Sequence, residues 1–228
     1  MKKGKDGIYN RVIKRLLDFL LALLALVILS PVLVALTAVG AIAMKGNPFF
    51  VQRRPGRIDK RTGKERIFPL IKFRTMTNEK DKDGNLLPDD VRLNGYGKFL
   101  RKTSLDELPE LVNIFKGDMS LVGPRPLLVA YLPYYTDEER RRHSVRPGLT
   151  GWAQVNGRNC VSWENRFKLD VEYVDNISFL FDIKVLLKTI AAVLKHSGVA
   201  EDTGEAEGNF ARIRKENEHT TVERGDAQ

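Results

Sequence analysis

Two adjacent carboxylates, Asp106 and Glu107, stand where a short helical pattern begins, in the segment SLDELPE over residues 104–110. A carboxylate beside a second acid can act as a nucleophile or hold a cation, so this pair could perform group transfer. A structural role also fits the pattern. Ser104 and Glu107 have the spacing of a capping box, and Asp106 and Pro109 both suit a first helical turn. Taken alone, the segment favours capping.

Several cationic side chains occur in settings that restrict them, which is unusual for solvated charges. Arg125 lies between two prolines in GPRP, and Arg158 follows the turn residues Asn156 and Gly157. Guanidinium groups match phosphate oxygens in a bidentate arrangement, although any one of these cations could form a structural ion pair instead. Together with the acid pair and an apolar segment, they indicate phosphate chemistry on a lipid. The candidate phosphate-binding residues are Lys72, Arg74, Arg101, Arg125 and Arg158.

An apolar run over residues 16–44 contains a single charge, Asp18, near its start. The run exceeds the roughly 20 residues that a membrane-spanning helix requires, so we expect it to enter a membrane. Ser30-Pro31 in its middle predicts a break, because proline removes one helical hydrogen bond and its ring clashes with the preceding turn. A re-entrant hairpin and a kinked single pass both fit this pattern.

Basic residues lie on both sides of the apolar run. Residues 1–15 carry six Lys/Arg against Asp6, and residues 45–74 carry ten against Asp59 and Glu65. These two excesses together exceed the whole net charge of +9. Lys and Arg favour the cytoplasmic side, so basic flanks at both ends suit a helix that returns to its own side. The charge therefore indicates membrane lipid as a partner and no nucleic acid, for which no binding motif occurs.

The remaining chain predicts an α-rich (α+β) domain, with short apolar segments between polar turns. Residues 47–51 and 67–73 have strand character, whereas residues 108–115 and 179–196 have helical spacing. The second helix separates apolar side chains from lysines, which fits either an interfacial helix or a surface helix over a core. Residues 201–228 are polar and are expected to be disordered.

Motifs of unusual length identify the family that this sequence resembles. They are KFRTM (72–76), SLDELPELVNIFKGDMSLVGPRPLL (104–128), RPGLTGWAQVNGR (146–158) and DVEYVDNISFLFDIK (170–184). In this order they resemble the small monotopic phosphoglycosyl transferases, also called bacterial sugar transferases. The resemblance implies a small α-rich cytoplasmic domain that lies on the membrane through interfacial amphipathic helices.

The resemblance also implies a role for each part of the chain. Residues 1–15 become a basic flank, residues 16–44 a re-entrant membrane helix broken at Ser30-Pro31, and residues 45–200 the catalytic domain. Asp106 and Glu107 become a catalytic dyad that also binds Mg²⁺. The implied substrate-binding and phosphate-handling residues include Arg101, Arg125, Arg158 and Asp182.

The implied reaction transfers a sugar-1-phosphate from a UDP-sugar to polyprenyl (undecaprenyl) phosphate. Asp106 attacks the β-phosphorus, UMP leaves, and a covalent aspartyl-phosphosugar is passed to the lipid. Residues 153–159 are similar to family members that use N-acetylated sugars. The expected location is the cytoplasmic face of a bacterial inner membrane. The reaction is expected to be the first membrane step of glycoconjugate or polysaccharide biosynthesis. The resemblance leaves open whether the protein forms a homo-oligomer. A membrane adaptor without catalysis would explain the anchor but not the dyad or the arginines.

Overall fold

The computed structural model describes residues 7–156, 162–194 and 210–214. These residues are mostly helical with two-stranded sheets, which confirms the predicted balance of helix and strand. The α-helices are α1 (Lys14–Ile28), α2 (Ser30–Ala43), α3 (Asp89–Arg92), α4 (Gly95–Thr103), α5 (Glu110–Lys116), α6 (Asp137–Arg140), α7 (Trp152–Asn156), α8 (Trp163–Asn176) and α9 (Phe179–Leu194). The strands are β1 (Phe49–Ile58), β2 (Glu65–Phe73), β3 (Ser120–Val122) and β4 (Gly148–Thr150).

The apolar run folds as α1 and α2, and the chain bends by 64° between them. Ser30 Oγ donates a hydrogen bond to the Val27 carbonyl at 2.8 Å, and Pro31 lies in the first turn of α2. Proline is tolerated there because the first N–H groups of a helix have no partner within it. The predicted break at Ser30-Pro31 is therefore confirmed as a bend. Among the described residues no single helix has the length and hydropathy to cross a membrane, whereas this bent pair has both.

Charged and hydroxyl-bearing side chains attach α1 to the rest of the protein. Lys14 lies 2.6 Å from Asp182 of α9, and both side chains are 7% exposed. Tyr9 and Tyr173 each donate a hydrogen bond of 2.6 Å to the same carboxylate, so its charge is well compensated despite burial. Asp18 accepts a backbone N–H of β3 at 3.0 Å. The single charge of the apolar run thus faces the protein.

Strands β1 and β2 form an antiparallel hairpin in which Phe49 pairs with Phe73. Both predicted strands are confirmed, but the hairpin extends further toward its turn, with an irregularity between Pro55 and Ile58. An antiparallel sheet can leave one face in solvent, so it tolerates the polar residues that hid this extension in the sequence.

Helix α5 packs on α1, because Ala22 contacts a cluster that includes Leu111 and Ile114. The predicted helix over residues 108–115 is confirmed with shifted ends. Arg15 donates hydrogen bonds of 2.7 Å to the carbonyls of Ile114 and Phe115 at the C-terminal end of α5, where the last carbonyls of a helix are available to side chains. These contacts fix α5 against α1, and the acid pair lies just before the opposite end of α5.

Helix α9 confirms the predicted helix as far as Leu194, and residues 195–196 lie outside the described residues. One face is buried through Asp182 and Val185. Another face leaves Leu180 78% exposed and Leu187 62% exposed. The helix therefore covers a core, as the surface-helix interpretation predicts, and it also presents an exposed apolar surface.

Part of the predicted tail is ordered. Residues 210–214 form a helical turn, and Phe210 is 1% exposed within an aromatic cluster with Tyr131, Trp163 and Phe167. The expectation of disorder is therefore wrong for these residues, because one phenylalanine in a polar segment finds a buried site elsewhere in the chain. The rest of residues 201–228 lies outside the described residues.

Candidate active site

The acid pair lies in a short 3₁₀ helix, Leu105–Glu107, between α4 and α5. Ser104 precedes it in the left-handed region with φ 55°, and its side chain forms no cap hydrogen bond. The capping-box interpretation of Ser104 and Glu107 is therefore wrong. Glu107 turns its side chain away from the helix start and toward cations from other parts of the chain.

Glu107 is held by two cations on the same oxygen. Lys72 Nζ of β2 and Arg125 Nη2 each lie 2.9 Å from Glu107 Oε1. Lys72 Nζ also lies 3.4 Å from Oε1 of Glu110, which is one helical turn beyond Glu107. Charge-assisted bonds of this length are strong when partly shielded from water. The structure thus brings Lys72, Arg125 and the acid pair into one site.

Asn113 of α5 sets the distance between the acid pair and Lys72. Its Oδ1 accepts the N–H of Ile71 at 3.1 Å, and its Nδ2 donates to the Pro69 carbonyl at 2.8 Å. This buried amide therefore replaces a missing strand neighbour for β2 and ties α5 to the hairpin.

The acids of this site differ in their protonation. Burial, reinforced by the charge of Glu107, raises the pKa of Asp106 to about 6. Burial alone would also raise the pKa of Glu107, but Arg125 and Lys72 outweigh it and lower that pKa to about 2. Burial and the charge of Glu107 raise the pKa of Glu110 to about 7. Glu107 is therefore a firmly ionised partner of the cations, whereas the Asp106 carboxylate is less stabilised and better suited to attack.

Arg125 is positioned through its backbone as well as by the flanking prolines. Arg142 Nη2 donates to the Arg125 carbonyl at 2.7 Å. Arg142 is itself buried and lies 2.8 Å from Asp170 of α8. A charge pair so far from water keeps its geometry only when it is fully partnered, so the carbonyl of Arg125 completes a fixed network.

The other predicted site residues are placed differently. Arg101 Nε donates to Thr75 Oγ1 at 3.1 Å, in the segment just after Lys72. Arg74 is half-buried, and its guanidinium forms no hydrogen bond or ion pair with the described residues. Arg158 lies outside the described residues. Asp182 belongs to the separate cluster with Lys14, and among the described residues it has no contact with the acid pair.

Sequence reasoning missed Glu110, Asn113 and the pair of Arg142 with Asp170. Glu110 offered a signal, since it lies three residues after Glu107 and so shares a helix face with it. Asn113 and Arg142 offered none, because their partners lie 42 and 28 residues away in the chain.

Magnesium needs oxygen ligands that are not already neutralised by cations. In the described part of the chain, no group of three or more His, Cys, Asp or Glu residues could hold a metal ion. Mg²⁺ is commonly held by one or two carboxylates together with substrate phosphates, so a larger group is not required. Asp106 forms no ion pair with the described residues, and Glu107 uses only Oε1 for its cations. These oxygens fit Mg²⁺.

Comparison with known proteins gives the family. Residues 9–196 match the family model described as bacterial sugar transferase. The chain belongs to this family, and the predicted transferase class is confirmed.

Individual relatives cover the same region of the chain. The "uncharacterized sugar transferase EpsL" of Bacillus subtilis is 51% identical over 190 residues, which are 83% of this chain and 91% of that protein. The "undecaprenyl-phosphate galactose phosphotransferase" of Salmonella typhimurium is 37% identical over 83% of this chain and 42% of its own length. The "UDP-glucose:undecaprenyl-phosphate glucose-1-phosphate transferase" of Escherichia coli is 37% identical over 79% and 40%. The chain therefore spans most of the first relative and less than half of the other two.

Proposed function

We propose that the chain transfers a sugar-1-phosphate from a UDP-sugar to undecaprenyl phosphate. The name of the Escherichia coli relative contains both a UDP-sugar and undecaprenyl phosphate, and the name of the Salmonella relative contains the lipid acceptor. The bent apolar helix pair could bring the chain into contact with such a lipid. The observation that carries the proposal is the contrast within the dyad. Glu107 is bound by Lys72 and Arg125, whereas the neighbouring Asp106 is half-buried and forms no ion pair with the described residues.

In the proposed mechanism Asp106 is the nucleophile. A carboxylate oxygen attacks the β-phosphorus of the UDP-sugar, the bond from that phosphorus to the bridging oxygen breaks, and UMP leaves with the electron pair. The phosphosugar then remains on Asp106 as an acyl phosphate. An oxygen of undecaprenyl phosphate attacks the same phosphorus and releases the carboxylate, which gives the lipid diphosphate sugar and restores the enzyme.

The neighbouring residues stabilise negative charge during both steps. Lys72 and Arg125 hold Glu107 and lie close enough to the dyad to contact substrate phosphates, with Arg125 able to present its planar fork. Arg74, Arg101 and Arg158 are proposed to bind other phosphate oxygens. Mg²⁺, held by Asp106 and Glu107, would offset charge on the diphosphate when bound.

The proposed location is the cytoplasmic face of a bacterial inner membrane, with α1 and α2 as a re-entrant hairpin. Basic residues flank both ends of this pair, and its apolar side chains are largely exposed in the structure. The exposed apolar face of α9, with Leu180 and Leu187, would lie at the same interface. Residues 45–200 then form the catalytic domain beside the lipid headgroups.

The sugar is proposed to be N-acetylated, from the likeness of residues 153–159 to such family members. The two relatives named above carry galactose and glucose in their names, so an unmodified hexose is the alternative. UMP release from UDP-galactose, UDP-glucose and their N-acetylated counterparts, with undecaprenyl phosphate and Mg²⁺ present, tests both the activity and the sugar. If the protein released UMP from none of these donors, the result would favour the alternative function of a membrane adaptor without catalysis.

A further inference from the structure

The C-terminal turn, residues 210–214, lies beyond the part of the chain that matches the family model. We propose that Phe210 is a positioning residue for the active site, acting through Arg142 on Arg125. The kinetic part of this inference rests on the proposed function. The structural part does not, because it concerns contacts between side chains.

The Phe210 ring packs against four other aromatic rings. Its ring lies 5.1 Å from the Phe167 ring in an edge-on arrangement and 5.7 Å from the stacked Tyr135 ring, measured between centroids. It also lies 5.2 Å from the Trp163 ring and 5.1 Å from the Tyr131 ring. Aromatic pairs in these arrangements attract each other beyond simple burial. Phe210 therefore forms the centre of the cluster.

Two rings of this cluster contact the guanidinium of Arg142. The guanidinium of Arg142 lies 5.6 Å from the Phe167 ring and 5.8 Å from the Tyr135 ring, and Tyr135 Oη accepts a hydrogen bond from it at 3.3 Å. Phe210 thus packs against both rings that contact this cation. A buried cation over two aromatic rings is sensitive to small shifts of those rings, because its attraction depends on distance.

Arg142 is connected to the acid pair through Arg125. Arg142 Nη2 donates to the Arg125 carbonyl at 2.7 Å, and Arg125 Nη2 lies 2.9 Å from Glu107. A continuous series of direct contacts therefore runs from Phe210 to the acid pair. Small displacements of phosphate-binding groups cost much activity, since the reacting atoms must be closely aligned.

A second attachment reinforces the turn. Arg214 pairs with Glu139 of α6, and that carboxylate also accepts the backbone N–H of Thr136 in a capping box. Helix α6 leads directly into the 3₁₀ helix that contains Arg142. The C-terminal turn thus contacts Tyr135 and Glu139, which both lie in the segment that leads into Arg142.

The test uses Phe210→Ala and Phe210→Leu in the full chain, with Ile213→Ala as a matched control. Ile213 belongs to the same turn but not to the aromatic cluster. We measure kcat and KM for UMP release, and amide hydrogen exchange over residues 124–146 and over the β1–β2 hairpin. The expected result for Phe210→Ala is a roughly tenfold lower kcat with an unchanged KM for the UDP-sugar, and faster exchange over residues 124–146 only. Phe210→Leu should recover part of both, and Ile213→Ala should change neither.

An unchanged kcat, or an unchanged exchange rate over residues 124–146, would overturn the proposal, since either result breaks the link from Phe210 to Arg125. Equal acceleration of exchange across the hairpin as well would also overturn it, because Phe210 would then support the fold in general. Failure of the proposed function is distinguishable: the wild type would release no UMP from any donor, and the exchange measurements alone would decide the structural link.

Discussion

Arg125 Nη2 lies 2.9 Å from Glu107 Oε1, with the two side chains only 21% and 19% exposed. A guanidinium carries five N–H donors, so Arg125 can neutralise Glu107 with one of them while others contact a second group. Lys72 shares the same oxygen but offers a single point of charge. The two cations are therefore not equivalent.

Arg125→Lys should lower kcat about 100-fold while the protein still folds and binds membranes, because lysine cannot reproduce the planar fork at a developing charge. UMP release and thermal unfolding of the same preparation check this. Arg66→Lys is a suitable control, since Arg66 is a mostly exposed partner of Asp118. Near-normal turnover of Arg125→Lys would show that only a positive charge is needed there.

Asp182 should prove structural in its effect on stability. Asp182→Asn leaves Lys14 buried without its charge partner, which typically costs about 3–5 kcal/mol of unfolding free energy. Denaturant unfolding in detergent measures the loss, with Asp175→Asn as a control because its pair with Arg141 is more exposed. The KM for the UDP-sugar should stay unchanged. A raised KM with normal stability would support the substrate-binding role predicted from the sequence.

His143 should make a destabilising contribution to the protein in mild acid. Burial, together with the nearby charge of Arg142, lowers its pKa from 6.5 to about 3. At this position the unfolded chain therefore binds a proton below about pH 6.5 that the folded protein rejects, and the contribution of His143 to stability falls as the pH drops from that value toward the folded pKa. The loss should be on the order of 1 kcal/mol per pH unit. The stability of the wild type relative to His143→Phe should therefore fall as the pH drops below about 6.5, because Asp106 and Glu110 titrate in both proteins, and a difference that stays constant with pH would contradict the prediction.

Both ends of the bent helix pair should lie on one side of the membrane. Cysteines introduced singly at Lys5 and Gly46, with the native Cys160 replaced by serine, should react with a permeant reagent in intact cells and resist an impermeant one. Pro31→Ala should move some molecules toward a spanning topology, because it restores a continuous helix. Labelling of either wild-type end from outside would rule out the hairpin.

Features that depend on neighbouring residues were predictable from the sequence. The bend at Ser30-Pro31, the two hairpin strands and the helix after the acid pair all follow from local periodicity and from proline. Partners that are distant in the chain were not. Glu107 meets Lys72 and Arg125 across 35 and 18 residues.

Sequence alone could not separate a capping acid from one held by cations, because both give the same local pattern. The burial of Asp182 and the packing of Phe210 could not be predicted from the sequence for a related reason. A lone aspartate or phenylalanine shows its chemical type in the sequence, whereas its burial depends on what the rest of the chain brings beside it.

The central claim is that Asp106 becomes covalently attached to the phosphosugar, and intact-protein and peptide mass spectrometry test it most directly. Wild type incubated with UDP-sugar and Mg²⁺, without undecaprenyl phosphate, should release UMP and carry a phosphosugar mass on the peptide containing Asp106. Asp118→Asn, at the other end of α5, should form the same adduct. Asp106→Asn should fold normally, release no UMP and carry no adduct. UMP release only when undecaprenyl phosphate is present, with no trapped adduct on the wild type, would contradict the account and indicate direct transfer in a single step.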